Sequence, residues 1–96
     1  MLVWAIYDIT NNKVRRKIVK ICKNIGLYRV QKSVFLGDIN KNGLDELSLQ
    51  SKDLIDEKKD SVYIFPMCKP DFENVILLGQ AFDKRIVADK VLEQFF

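Results

Sequence analysis

The run Leu2-Val-Trp-Ala-Ile-Tyr is apolar at six consecutive positions and stops at Asp8. A strand wet on one side alternates apolar with polar; a strand covered on both sides does not. The segment therefore predicts a central strand. Leu2, Trp4, Ile6 and Asp8 share one face, and Val3, Ala5, Tyr7 and Ile9 the other. Both faces need cover, and the next segment can supply one. Residues 13–25 place Val14, Ile18, Ile21, Cys22 and Ile25 on one stripe at spacings of three and four, which predicts an amphipathic helix. Thr10 or Asn11 can cap its start, and Gly26 is a stop signal.

Further along, Tyr28–Gln31 and Ser33–Ile39 read as extended, with Lys32-Ser33 as a tight turn between two strands or a bend within one. Residues 40–43 read as a loop. Gly43–Glu57 reads as a second helix, with Leu44, Leu47, Leu54 and Ile55 inward. Ser61–Met67 reads as another strand, ended by Cys68-Lys-Pro. The order β-α-β-β-α-β predicts an α+β, ferredoxin-like split βαβ sandwich over residues 1–79. Val75–Leu78 is a candidate additional C-terminal strand. A strand appended to a closed unit needs a partner edge, which a second copy of the chain offers, so a homodimer with an exchanged late strand is expected. Residues 80–96 form a C-terminal extension. Val87, Val91 and Phe95 sit at helical spacing there, and docking on the body or on the partner is expected.

With 96 residues the chain is one domain with a limited core, another reason to expect pairing. No apolar run approaches the roughly 18 residues of a membrane span, and the start lacks a secretory pattern. Two cysteines do not make a disulfide framework, and a cytoplasmic location is expected. Histidine is absent, which removes imidazole acid–base chemistry and histidine-rich metal sites. Catalysis would fall to carboxylates, Lys, Tyr, Ser or a metal held by oxygen.

The charge is unevenly distributed. Residues 1–42 carry nine Lys/Arg against two Asp, a net +7, and residues 43–96 a net −4. A basic half points to a polyanion bound on one surface, although a solvated helix face has the same composition. Lys13, Arg15, Arg16, Lys17, Lys20 and Lys23 fall within eleven residues with no acid between them, which favours phosphate binding. Arg15 and Lys17 flank the apolar stripe on its two sides. Arg29, Lys32 and Ser33 form a second candidate group, with Arg29 able to fork onto a phosphate. Phe35 lies in an apolar run and reads as core. Asp8 admits two readings. It can cap the following helix, or it can hold a hard cation such as Mg²⁺, which often takes only one or two protein carboxylates. A cation there can activate water or stabilise a phosphodiester transition state. Asp53, Asp56, Glu57 and Asp60 read as a solvated helix end.

Several of these segments resemble a known family. They are Tyr7-Asp8-Ile9 at a strand end, the basic helix, Gly26-Leu-Tyr-Arg-Val-Gln-Lys-Ser-Val-Phe-Leu-Gly, and Asp60-Ser-Val-Tyr-Ile-Phe-Pro-Met-Cys. Together they resemble the small CRISPR-associated spacer-acquisition nucleases, the ferredoxin-like partners of the CRISPR integrase. The likeness covers roughly residues 1–79, and Arg-Val-Gln-x-Ser-Val-Phe is its specific part. It implies a homodimer whose late strands pair with the other subunit. It also implies a metal-dependent nuclease (Mg²⁺ or Mn²⁺) acting on single-stranded RNA or double-stranded DNA, and a bridge between integrase dimers. It assigns the metal and catalytic role to Asp8 facing its symmetry mate. Nucleic-acid contacts map to Arg15, Lys17, Arg29 and Ser33, with Tyr7 and Phe35 beside them. Lys17 stands where the family often has Arg, and Leu36 where it often has Glu.

Two function classes follow. The first is a metal-dependent endonuclease of CRISPR adaptation centred on Asp8. The second is a non-catalytic dimeric scaffold that holds protospacer DNA and bridges integrase subunits. A toxin-like ribonuclease or a ligand-binding regulatory domain accounts less well for the basic half.

Overall fold

A computed structural model describes residues 1–79 of the chain. The elements run β1 (Leu2–Asp8), α1 (Asn12–Ile25), β2 (Tyr28–Gln31), β3 (Val34–Asp38), α2 (Lys41–Leu54), β4 (Ser61–Met67) and α3 (Lys69–Glu73). The four strands form one sheet in the order β2-β3-β1-β4, with every neighbouring pair antiparallel. This is the expected ferredoxin-like arrangement, and β1 is central as its unbroken apolar run requires.

The two faces of β1 enter two cores. Val3, Ala5 and Tyr7 pack with Ile18, Cys22, Leu27, Phe35 and Leu47 beneath the two helices. Leu2 and Trp4 pack with Leu36 and Phe72 on the opposite side. Phe72 comes from α3, a short helix that the sequence reading did not anticipate; its Pro70 sits in the first turn, where proline is tolerated. The described residues roof only one end of that second face. Tyr28, Tyr63 and Phe65 remain 41, 54 and 45% exposed.

Helix α1 starts one residue earlier than expected. Asn11 is its cap, its side chain accepting from the Val14 amide at 3.0 Å. Gly26 ends it in the left-handed region (φ 111°), donating its amide to the last carbonyls. Helix α2 spans Lys41–Leu54 rather than Gly43–Glu57. Asn40 caps it by accepting from the Gly43 amide at 2.8 Å, so the expected loop at 40–43 forms the cap and first turn. Gly37 is required by close approach: a Cβ there would lie 2.9 Å from the Gly26 carbonyl oxygen.

Val75–Leu78 pairs with no strand among the described residues, and Ile76 and Leu78 are 80 and 82% exposed. The edge expected for this strand belongs to a second copy of the chain. One expectation is corrected. Asp60 is not solvated but buried: its Oδ2 accepts from the Asp56 amide at 3.0 Å and closes the turn into β4. The C-terminal extension, with the helical spacing read for it, lies outside the described residues.

Candidate nucleic-acid interface

The alternation of β1 determines where each candidate group emerges. Tyr7 turns under the helices and is buried, whereas Asp8 ends the strand on the other side, exposed and opposite Ser61 of β4. The Asp8 carboxylate makes no hydrogen bond or ion pair with any described residue. Helix capping is done by Asn11, so one of the two readings of Asp8 loses its basis.

Beside Tyr7 lies a cleft of about 300 Å³ lined by Tyr7, Asn12, Arg15, Arg16, Arg29, Lys32 and Ser33, with Val19 at its back. Four cationic side chains from two separate sequence segments thus converge on one concavity, and no carboxylate among the described residues lines it. The helical part follows from spacing: Asn12, Arg15, Arg16 and Val19 stand at i, i+3, i+4 and i+7, one face of α1. The β2–β3 turn supplies the rest. Its Lys32 carbonyl accepts from Arg29 Nε at 3.1 Å, Arg29 Nη2 at 2.6 Å and Tyr7 Oη at 3.1 Å. The Tyr7 amide donates to the Ser33 carbonyl at 3.1 Å, which ties the turn to the end of β1. Phe35 is fully buried beneath, its ring 6.4 Å from that of Tyr7 and 5.9 Å from the Arg29 guanidinium carbon.

The basic cluster of α1 therefore divides. Arg15 and Arg16 serve the cleft. Lys17 and Lys20 line a separate groove of about 470 Å³ between α1 and α2, together with Ile21, Asn24, Gln50, Asp53 and Leu54. The expected flanking of the apolar stripe by Arg15 and Lys17 is thus realised, one on each side. Lys13 is exposed on the first turn and lines neither concavity. Cys22 takes no part: burial pushes its thiol up to about 11, which keeps it protonated and unreactive.

Sequence reasoning missed three contributors. Asn12 joins the cleft, and its place on the Arg15–Arg16 face was available from spacing alone. Tyr63 and Phe65 stand two apart on β4, with parallel rings (2°) whose centroids are 6.3 Å apart. They share with Ser61 and Asp8 the open face of the sheet, a side assignment that needed the β1–β4 register.

A ferredoxin-like domain with a free carboxylate ending its first strand and a cationic cleft beside it has the equipment of a polyanion-binding protein. The model of the CRISPR associated protein Cas2 family matches residues 1–75, and the chain belongs to that family. The CRISPR-associated endoribonuclease Cas2 of Desulforudis audaxviator is 42% identical over 65 residues, covering 68% of this chain and 61% of that protein. The match thus spans about three fifths of that relative's length. The CRISPR-associated endoribonuclease Cas2 1 of Archaeoglobus fulgidus is 33% identical over 79 residues, 82% of this chain and 84% of its own. Among solved structures, that of Streptococcus pyogenes Cas2 superposes with a TM-score of 0.70 at 30% identity, covering 82% of this chain and 100% of the other. No helix among the described residues is long and apolar enough to cross a membrane.

Proposed function

We propose that this chain is a metal-dependent endonuclease subunit of CRISPR spacer acquisition. It works in the cytoplasm as a homodimer and cleaves phosphodiester bonds of single-stranded RNA or double-stranded DNA in company with the CRISPR integrase. The observation that carries this is Asp8: an exposed carboxylate without a partner among the described residues, at the strand end that follows Tyr7 of the cationic cleft. Membership in a family whose relatives are named endoribonucleases supports it.

The donor set fits a hard cation. Among the described residues no group of three or more His, Cys, Asp or Glu side chains is placed to hold a metal, so the donor proposed from each chain is Asp8. Mg²⁺ and Mn²⁺ accept oxygen donors, and Mg²⁺ keeps several waters, so two Asp8 carboxylates from paired subunits suffice. When bound, the ion supplies Lewis-acid polarisation of a phosphoryl oxygen. The chain's own groups do the positioning. Arg15, Arg16 and Lys32 neutralise phosphates in the cleft, Ser33 offers a hydroxyl there, and Lys13, Lys17 and Lys20 extend the cationic surface along α1. The half-exposed Tyr28, Tyr63 and Phe65 make the open sheet face the surface on which a second copy brings its Asp8 close.

Incubation of labelled RNA and duplex DNA with Mg²⁺ or chelator tests this. Metal-dependent cutting abolished by Asp8→Ala is expected. Cutting that persists in Asp8→Ala, or none by the wild type, sinks it. A scaffold reading has one observation of its own: the cationic cleft opens on the helical side of the sheet and Asp8 on the other, so binding and cleavage are separable. It predicts salt-sensitive duplex binding that survives Asp8→Ala and collapses when Arg15 and Arg16 are neutralised.

A further inference from the structure

The Lys32-Ser33 turn is held in a way that its own backbone does not explain. Two-residue hairpin turns favour positive φ at their central residues, because that twist matches the strands. Neither Lys32 nor Ser33 has it; positive φ among the described residues is confined to Gly26 and Gly79. The strand register also slips between Arg29 and Gln31, a bulge that loosens the pairing just before the turn. Beyond the Tyr7 amide's bond to the Ser33 carbonyl, what fixes the turn is side-chain chemistry. One carbonyl oxygen, that of Lys32, receives three donors: two from the fork of Arg29 and one from the phenol of Tyr7. Both donors are steadied by the same ring, that of the fully buried Phe35.

We infer that Arg29 and Tyr7 serve nucleic-acid binding as positioning residues, and that Lys32 is the phosphate contact they set in place. This rests on reading the cleft as a phosphate-backbone site. Arg29 directs two of its five N–H groups at an acceptor inside the chain, so its fork is engaged before any ligand arrives. The Lys32 ammonium has no partner among the described residues and lines the cleft with Arg15 and Arg16. Releasing the Lys32 carbonyl frees the turn to move and carries that ammonium out of the cleft. A lysine at position 29 preserves the charge but cannot fork around one oxygen, so charge and positioning come apart experimentally.

The test is binding of labelled duplex DNA and single-stranded RNA at fixed salt, with Arg29→Lys and Tyr7→Phe each made in the wild type and in Lys32→Gln. For groups coupled through one network, Arg29→Lys weakens binding by about 5–10-fold in the wild type and by less than about 2-fold in Lys32→Gln. Tyr7→Phe, which removes only a hydroxyl and leaves the ring packed, gives a smaller loss of about 2–3-fold that also vanishes in Lys32→Gln. Wild-type affinity in Arg29→Lys overturns the inference, and equal losses in both backgrounds overturn it and make Arg29 a direct phosphate ligand. Backbone ¹⁵N relaxation at residues 32 and 33 supplies an arm independent of nucleic acid. Increased mobility in both variants supports the inference, and unchanged mobility overturns it. Should the wild type bind no nucleic acid, the proposed function fails while this arm still judges the turn.

Discussion

The two faces of β1 belong to one strand and are treated in opposite ways. On the helical face Val3, Ala5 and Tyr7 lie in a closed core, and the last of them is bonded to the turn that shapes the cationic cleft. On the other face Leu2 and Trp4 are roofed by Phe72, and among the described residues the roof ends there, leaving Asp8, Tyr63 and Phe65 in the open. The described residues thus complete the cleft and leave the carboxylate surface uncovered. On the proposed reading, holding a phosphate backbone falls to the single fold, whereas chemistry at Asp8 requires a second copy.

That contrast can be broken in several places. The closed face is the more sensitive. Phe35→Ala costs about 3–5 kcal/mol of stability, as emptying a fully buried aromatic site does. Denaturant unfolding measures it, and Phe65→Ala under monomeric conditions is the near-neutral control. On the open face, Asp8→Ala lowers cleavage by about 10²-fold or more, since a metal contributes several kcal/mol of transition-state stabilisation. The melting temperature does not move, because the carboxylate holds nothing among the described residues. Replacing Tyr63 and Phe65 together with alanine weakens self-association by about 30-fold, the effect of losing about 2 kcal/mol of central aromatic contact. Sedimentation velocity across a concentration series reads this, and an unchanged dimer places the interface elsewhere.

Two smaller effects sharpen the other side of the comparison. Neutralising Arg15 and Arg16 lowers the slope of log affinity against log salt by about 0.9 per lost duplex phosphate contact. Changing Lys17 and Lys20, which line the interhelical groove, moves it less if the cleft is the principal site. Cys22 reports on the closed core through pH. Its folded thiol titrates near 11 rather than the ordinary 9.0, so the folded chain keeps a proton that the unfolded chain loses. Stability is therefore full below pH 9 and falls as pH rises towards 11, by at most about 1.4 kcal/mol per pH unit. Cys22→Ala flattens that decline in a chemical-denaturation pH series.

Much of this was legible in the sequence. The unbroken apolar run made β1 central, and the spacing of Val14, Ile18, Ile21, Cys22 and Ile25 oriented α1 well enough to place Arg15 and Lys17 on opposite flanks. Local signals failed where a longer-range partner decided the outcome. Phe72, to which no element was assigned, appears as the roof over Trp4. Arg29 read as a free phosphate fork because its acceptor, the Lys32 carbonyl, is a backbone group that composition cannot reveal. Asp60 read as solvated because nothing local to it announces burial.

The central claim is that two chains complete one metal site with their Asp8 carboxylates. Titration with Mn²⁺, followed by electron paramagnetic resonance on the purified dimer, tests it most directly. The account predicts one tightly held Mn²⁺ per two chains, lost in Asp8→Ala while the dimer persists. One ion per chain, or binding that Asp8→Ala leaves intact, would contradict it.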